Sequence, residues 1–230
     1  MSPRAGYTAA QVRAAEKPLL DAGVPLMRHA AAALAAELRD LVPRRMLVLV
    51  GAGDNGGDAL FAAAELAAEG VRVDLVPTAS RHHAEGAAAA LAAGAHWVGE
   101  RGVGEHPVDA ADAARLAAEA DVVLDGILGT GTAGSPALRG AARDIVAAIL
   151  PVLDQPQRPR VVAVDIPSGI GPDDGAVPDP TVLPADLTVT FGAVKAGLLI
   201  EPGSRYAGHV VLVDLGLGPH LAGDPVVIEE

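Results

Sequence analysis

The apolar run Met46-Leu47-Val48-Leu49-Val50 passes directly into Gly51-Ala52-Gly53-Asp54-Asn55-Gly56-Gly57-Asp58, and then into Ala59-Leu60-Phe61-Ala62-Ala63-Ala64-Glu65-Leu66. The first segment is short and apolar enough for a buried strand, and the last has the composition of a helix. A strand, a glycine-rich turn and a helix start, in that order, point to folds built on parallel strands with helical crossovers. They also make an anion cradle, because glycine lets the backbone approach a phosphate while free N–H groups and the helix dipole favour negative charge. Asp54, Asn55 and Asp58 add oxygen atoms to that cradle, so it is expected to hold something besides phosphate.

The alternation continues along the chain. Helices are predicted over residues 8–18 and 24–40, with Thr8 as N-cap of the first and Pro25 near the start of the second. Strands follow at 46–50, 71–76, 121–125, 161–166, 187–191 and 209–213, with a minor one at His96-Trp97-Val98. Helices are predicted over 58–69, 81–93, 109–119 and 138–149, and the alanine blocks fall on helix surface. This order implies an α/β fold, a mostly parallel sheet covered on both faces. The whole of 1–230 reads as a single domain with helices 8–40 packed on the sheet. Closer strand spacing and more Pro and Gly in the last third predict antiparallel edge strands.

Half of the 230 residues are apolar but only 2% are aromatic, so Ala, Val and Leu must fill the core. A net charge of −12 argues against a nucleic-acid partner, which requires a basic face. It offers an anionic ligand no steering, so bound phosphate is expected to rest on local backbone donors. Without cysteine there is no disulfide, thiolate metal site or cysteine nucleophile. No apolar run reaches bilayer length, and Met1–Gly6 lacks the core of a signal peptide. A soluble, cytoplasmic protein with no membrane partner is the expectation. Lysine is almost absent, and where Arg has replaced it nearly everywhere Lys17 and Lys195 stand out.

In an open parallel sheet the strand carboxyl ends share one edge, and ligands bind there. One strand ends in the glycine turn. A second, Val122-Val123-Leu124, ends in Asp125 and continues through Gly126 to Gly129-Thr130-Gly131-Thr132-Ala133-Gly134-Ser135. A third, Val161-Val162-Ala163-Val164, ends in Asp165-Ile166-Pro167-Ser168-Gly169. Asn55, the sole asparagine, can thus converge with Asp125 and Ser168 as oxygen ligands of a hard cation. The loop 129–135 can wrap phosphates like the first. An acid closing an apolar strand is costly unless bonded, which favours Asp165 as functional, although Asp214 shows that such a residue can be structural. Gly51-x-Gly53-x-x-Gly56 matches the dinucleotide fingerprint of dehydrogenases, but the expected ribose-binding acid is missing: Asp74 lies inside its strand. The histidines show no ligand spacing.

Together the motifs resemble the NAD(P)H-hydrate epimerase family. The resemblance rests on Gly51–Asp58, Asp125–Gly131, Val164–Gly169 and Ala185-Asp186-Leu187-Thr188-Val189-Thr190-Phe191-Gly192-Ala193-Val194-Lys195-Ala196-Gly197. It extends to Gly203…Tyr206-Ala207-Gly208…Val213-Asp214-Leu215-Gly216, covering about residues 8–218. It implies a three-layer α/β/α fold of Rossmann type, a homodimer, and interconversion of the R and S epimers of hydrated NADH and NADPH. These hydrates are damage products, of which a partner dehydratase accepts only the S form. The resemblance puts substrate on Asp54, Asn55, Gly56, Gly57, Asp58, on Gly129 to Ser135, and on Asp165. It puts one potassium ion per subunit on Asn55, Asp125 and Ser168. The family usually has Asn where this chain has Asp54, and its Leu-Met-Glu-Arg-Ala-Gly pattern appears as Leu26-Met27-Arg28-His29-Ala30-Ala31. The chain is too short for the dehydratase domain fused in many relatives, so a separate dehydratase is expected.

Epimerisation of a carbon bearing a hydroxyl beside a ring nitrogen needs an acid/base group and negative potential for the iminium-like cation. Asp165 is the candidate. Lys195 is the second, for a phosphate or the hydroxyl; otherwise it is a surface lysine in a turn. Two alternatives stay open: a non-catalytic nucleotide-binding module on the same fold, and a conventional oxidoreductase, which the missing ribose acid opposes.

Overall fold

The computed structural model describes residues 4–99, 108–131 and 134–229. In chain order the elements are β1 (Arg4–Tyr7), α1 (Ala9–Asp21), α2 (Leu26–Asp40), β2 (Arg45–Val50), α3 (Asp54–Ala68), β3 (Arg72–Pro77), α4 (Ala84–Ala92) and β4 (His96–Trp97). They continue with α5 (Ala110–Glu119), β5 (Val122–Gly126), α6 (Gly140–Ile149), β6 (Arg160–Val164), β7 (Leu187–Phe191), β8 (Val194–Lys195), β9 (His209–Val213) and β10 (Val227–Glu229). Thr8 caps α1 as its sequence predicts: its hydroxyl accepts from the Gln11 N–H while the Gln11 side chain returns to the Thr8 N–H.

Seven strands form one sheet in the order β4-β3-β2-β5-β6-β7-β9, and every neighbouring pair is parallel. The pleat sorts β2 between two cores. Met46, Val48 and Val50 face α2, α3 and α4 through Leu34, Leu38, Leu60 and Leu66. Leu47 and Leu49 face α5 and α6 through Leu116, Ile145 and Ile149. The result is a three-layer α/β/α arrangement whose central strands read as continuous apolar runs because both faces are covered.

The antiparallel edge expected in the last third is absent from this sheet. The links 165–186 and 192–208 carry no α-helix, which is why strand spacing there resembles hairpins. Each is nevertheless long enough for a parallel return. They fold as packed irregular chain around Ile166, Ile170, Val182, Val194 and Leu198. The antiparallel pair lies elsewhere, in a three-stranded sheet of order β10-β1-β8. There Arg4–Gly6 run against Glu229–Val227, and Gly6 and Tyr7 pair with Val194 and Lys195 in parallel. These three strands have two to four residues each, too short to show a period in the sequence.

Candidate active site

The chain leaves β2 toward β3 and β4 on one side and returns to β5 on the other, so the β2/β5 boundary is the switch point where a ligand crevice opens. Two backbones meet there. Gly51 N–H donates to Gly126 O at 3.0 Å. A Cβ on Gly51 would stand 1.8 Å from Ile127 O, so no other residue fits.

Helix α3 starts at Asp54 behind Gly53, and no side chain caps it. Asn55 therefore lies in the first helical turn rather than a loop, beside N–H groups that lack helical partners, and Asp58 opens the second turn. Asp54 is exposed, whereas Asn55 and Asp58 are buried. The Asn55 amide nitrogen donates to Leu128 O at 2.9 Å and to Val164 O at 2.7 Å. Ser168 Oγ donates to Asp125 Oδ1 at 2.6 Å and accepts from Leu128 N–H at 2.8 Å. Asp125 Oδ2 accepts from Ser168 N–H at 2.8 Å. Asn55, Asp125 and Ser168 are thus gathered about the main chain of Leu128. Burial pushes the Asp125 carboxyl above its ordinary range, against the pull of the donors from Ser168 and Ile127.

Asp165 follows β6 at φ 66°, a left-handed conformation uncommon outside glycine. Its neighbours close a three-residue turn, Ile166 N–H to Val164 O at 2.7 Å, while Asp165 N–H donates to Val189 O at 2.8 Å. Its Oδ1 accepts from Lys195 Nζ, from Thr190 Oγ1 at 3.2 Å and from Phe191 N–H at 3.2 Å. No donor among the described residues takes Oδ2. Three donors on one oxygen are the environment of an ionised carboxylate. Lys195 is 2% exposed, and its ammonium also donates to Phe191 O at 2.8 Å and Thr190 Oγ1 at 3.3 Å. The surface-lysine alternative is therefore overturned: this is a buried ion pair in which all three ammonium protons are engaged.

A cavity of about 1040 Å³ opens over these groups. That is the upper end of the roughly 300–1,000 Å³ usual for small-molecule sites. Of the residues singled out from the sequence, Asp54, Asn55, Asp58, Gly129, Thr130, Gly131, Asp165 and Lys195 line it. Asp125 and Ser168 lie behind its wall and reach it through Leu128. Gly56 and Gly57 face the packing instead: a Cβ on Gly56 would meet Gly51 O at 2.3 Å, and one on Gly57 would meet Met27 at 3.1 Å. Gly134 and Ser135 are off the wall, where Ser135 Oγ accepts from Ala137 N–H at 3.3 Å. Thr132 and Ala133 lie outside the described residues. Asp74 is tied to Arg45 and Arg72 at the amino ends of β2 and β3, away from the cavity, at 3.1 and 3.4 Å.

One wall was not anticipated. Helix α1 presents Val12, Arg13, Glu16, Lys17 and Leu20 to the cavity, and Arg81 joins from the link before α4. Arg13 Nη1 donates to Thr130 O at 3.2 Å, closing α1 onto the second glycine loop. Positions 13, 16, 17 and 20 share one helical face, the signal from which this wall was legible. Besides Lys195, three cationic side chains, Arg13, Lys17 and Arg81, border the cavity, so a phosphate has more than backbone donors available. Burial raises the Glu16 carboxyl, opposed by Lys195 and reinforced by Asp165. Among the described residues no cluster of His, Cys, Asp or Glu could hold a metal, and no helix is long and apolar enough to cross a membrane.

Fold and site together define a Rossmann-like α/β protein with its ligand cavity at the switch point. The family model described as YjeF-related protein N-terminus matches residues 23–197. An NAD(P)H-hydrate epimerase of Clavibacter michiganensis subsp. michiganensis is 58% identical over 213 residues, 92% of this chain and 90% of that protein. One of Microbacterium testaceum is 53% identical over 94% of this chain and 80% of its own length. The bifunctional NAD(P)H-hydrate repair enzyme Nnr of Mycobacterium tuberculosis is 40% identical, with 92% of this chain matching 41% of that protein. The crystal structure of yeast ynu0 shares the fold with a TM-score of 0.74 at 18% identity, covering 98% of this chain and 96% of that one. The chain belongs to the NAD(P)H-hydrate epimerase family.

Proposed function

We propose that the protein interconverts the R and S epimers of hydrated NADH and NADPH, an isomerase activity in nucleotide repair. The observation that carries the reading is the Asp165–Lys195 pair, buried at the wall of a dinucleotide-sized cavity beside the open N-terminus of α3. Departure of the hydroxyl leaves positive charge on the ring nitrogen and its neighbouring carbon. Asp165 Oδ2 faces that charge as a fixed carboxylate, and it takes a proton from the water that returns. Lys195 holds Oδ1 and orients the carboxylate. The first turn of α3 and the loop from Gly129 would receive phosphate, assisted by Arg13 and Arg81.

Asn55, Asp125 and Ser168 would hold a potassium ion. Their oxygens form a hard donor set, and a Cβ on Gly129 would come within 2.8 Å of Asn55 Oδ1, so the loop is built to close on that oxygen. Bound there, the ion supplies positive charge that orders the two loops. The reading further includes a homodimer in the cytoplasm and a dehydratase on a separate chain. The test is purified protein with each S-hydrate, followed by chiral chromatography. Appearance of the R form faster than without protein is the expected result. Binding without conversion would favour the non-catalytic module, and consumption of a reducible substrate would favour an oxidoreductase.

A further inference from the structure

The cavity holds a second carboxyl in an environment opposite to that of Asp165. Asp58 is 8% exposed, and its Oδ1 is buried with no hydrogen-bond partner among the described residues. An ionised carboxylate so placed would forgo solvation without compensation. The groups that face it are mostly acids: Asp165 behind β6, Asp54 one turn earlier on α3, and Glu16 on α1. The facing cation is Lys195 on β8, whose protons are already engaged by Asp165, Thr190 and Phe191. On the rest of the wall Lys17 pairs with Asp21 and Arg13 donates to Thr130 O, while Arg81 stands before α4. At the N-cap of α4, His83 Nδ1 accepts from Gly86 N–H, and α2 contributes the apolar Met27. Burial and the surrounding carboxylates push Asp58 up to about 8.

We propose, building on the epimerase reading, that Asp58 is the catalytic acid that gives its proton to the departing hydroxyl, with Asp54 as the positioning residue that keeps it protonated. Two carboxyls driven to opposite protonation states in one site are how acid and base roles become separated. The O–H bond of Asp58 breaks as the hydrate's hydroxyl oxygen gains that proton. The C–O bond then breaks with its electron pair leaving on water, and the ring-nitrogen lone pair becomes the second bond of a C=N⁺ group. Water adds to the opposite face, its oxygen supplying the electrons of the new C–O bond while the C=N⁺ pair returns to nitrogen. The surplus proton passes to Asp165 and back to Asp58 through solvent, so nothing is oxidised or reduced.

The test compares kcat and kcat/KM against pH for wild type, Asp58→Asn and Asp54→Asn with the S-hydrate of NADH. An acid catalyst must carry its proton, so wild-type kcat/KM, which reports the free enzyme, should fall as pH rises through about 8. Asp58→Asn should lower kcat by about 100-fold or more, the span of a lost general acid, and abolish that alkaline limb. Asp54→Asn should move the limb to lower pH, a shift that a purely structural role does not produce. Infrared difference spectra of wild type labelled with ¹³C-aspartate give a readout independent of variant folding: a carboxylic-acid C=O band that titrates near pH 8 and moves with Asp54→Asn. Wild-type turnover in Asp58→Asn, a limb that persists there, or the absence of such a band overturns the proposal and leaves epimerisation standing. An inactive wild type overturns both.

Discussion

Asp165 illustrates how one residue is held against its own preference. A non-glycine residue at positive φ costs about 1–3 kcal/mol and persists only where its surroundings over-determine it. Here Val189 O, Lys195, Thr190 and Phe191 do so. Asparagine tolerates the same backbone and keeps the shape while removing the charge. Asp165→Asn is therefore expected to lose about 100-fold or more in kcat, the range for a lost acid/base group, while KM stays within its order of magnitude. Steady-state kinetics with the S-hydrate measures this, and unchanged kcat would sink the role. Asp165, Asp125, Asn55 and Ser168 were legible in the sequence because strand ends in a parallel sheet share an edge. The state of Lys195 was not: it is fixed by a partner 30 residues away. Nor was the environment of Asp58, since a buried acid without a partner leaves no pattern in a string of residues.

Among the elements, α3 carries the site and shows where reading by pattern stops. The glycines of residues 51–57 suggest a loop, yet Gly56 and Gly57 are helical and serve packing. A Cβ on Gly56 would meet the main-chain oxygen and carbon of Gly51 at 2.3 and 2.9 Å, atoms that cannot retreat. One on Gly57 would meet the flexible end of Met27. Gly56→Ala is expected to destabilise the fold by about 1–3 kcal/mol through overpacking, with Gly57→Ala costing less. Urea denaturation of both variants orders them, and an equal or reversed order contradicts this account. The long strands were readable because burial on both faces makes them uniformly apolar. β1, β8 and β10 were not, and the parallel returns to β7 and β9 were hidden by links that pack without a regular repeat.

For the whole molecule, a net charge of −12 means that any salt stabilises it somewhat by screening. A specific potassium effect must therefore be measured at matched ionic strength. With Asn55, Asp125 and Ser168 as ligands, KCl is expected to raise the melting temperature above choline chloride. The increment grows with occupancy, about 2.7 kcal/mol at a hundredfold excess over Kd. Asn55→Ala should erase the difference between the two salts; equal melting curves for wild type in both would remove the ion from the scheme.

The small sheet bears on how the molecule comes into being. β1 binds β8, the strand carrying Lys195, on one side and β10 on the other, joining residues 4–7 with 194–195 and 227–229. During synthesis the helices and strands on both faces of β2 can assemble while β8 and β10 are still inside the ribosome. The ammonium that tethers Asp165 reaches its place only after those last strands emerge. A nascent chain thus carries Asp165 and the strands from β2 to β6 before it carries the lysine that tethers that carboxylate.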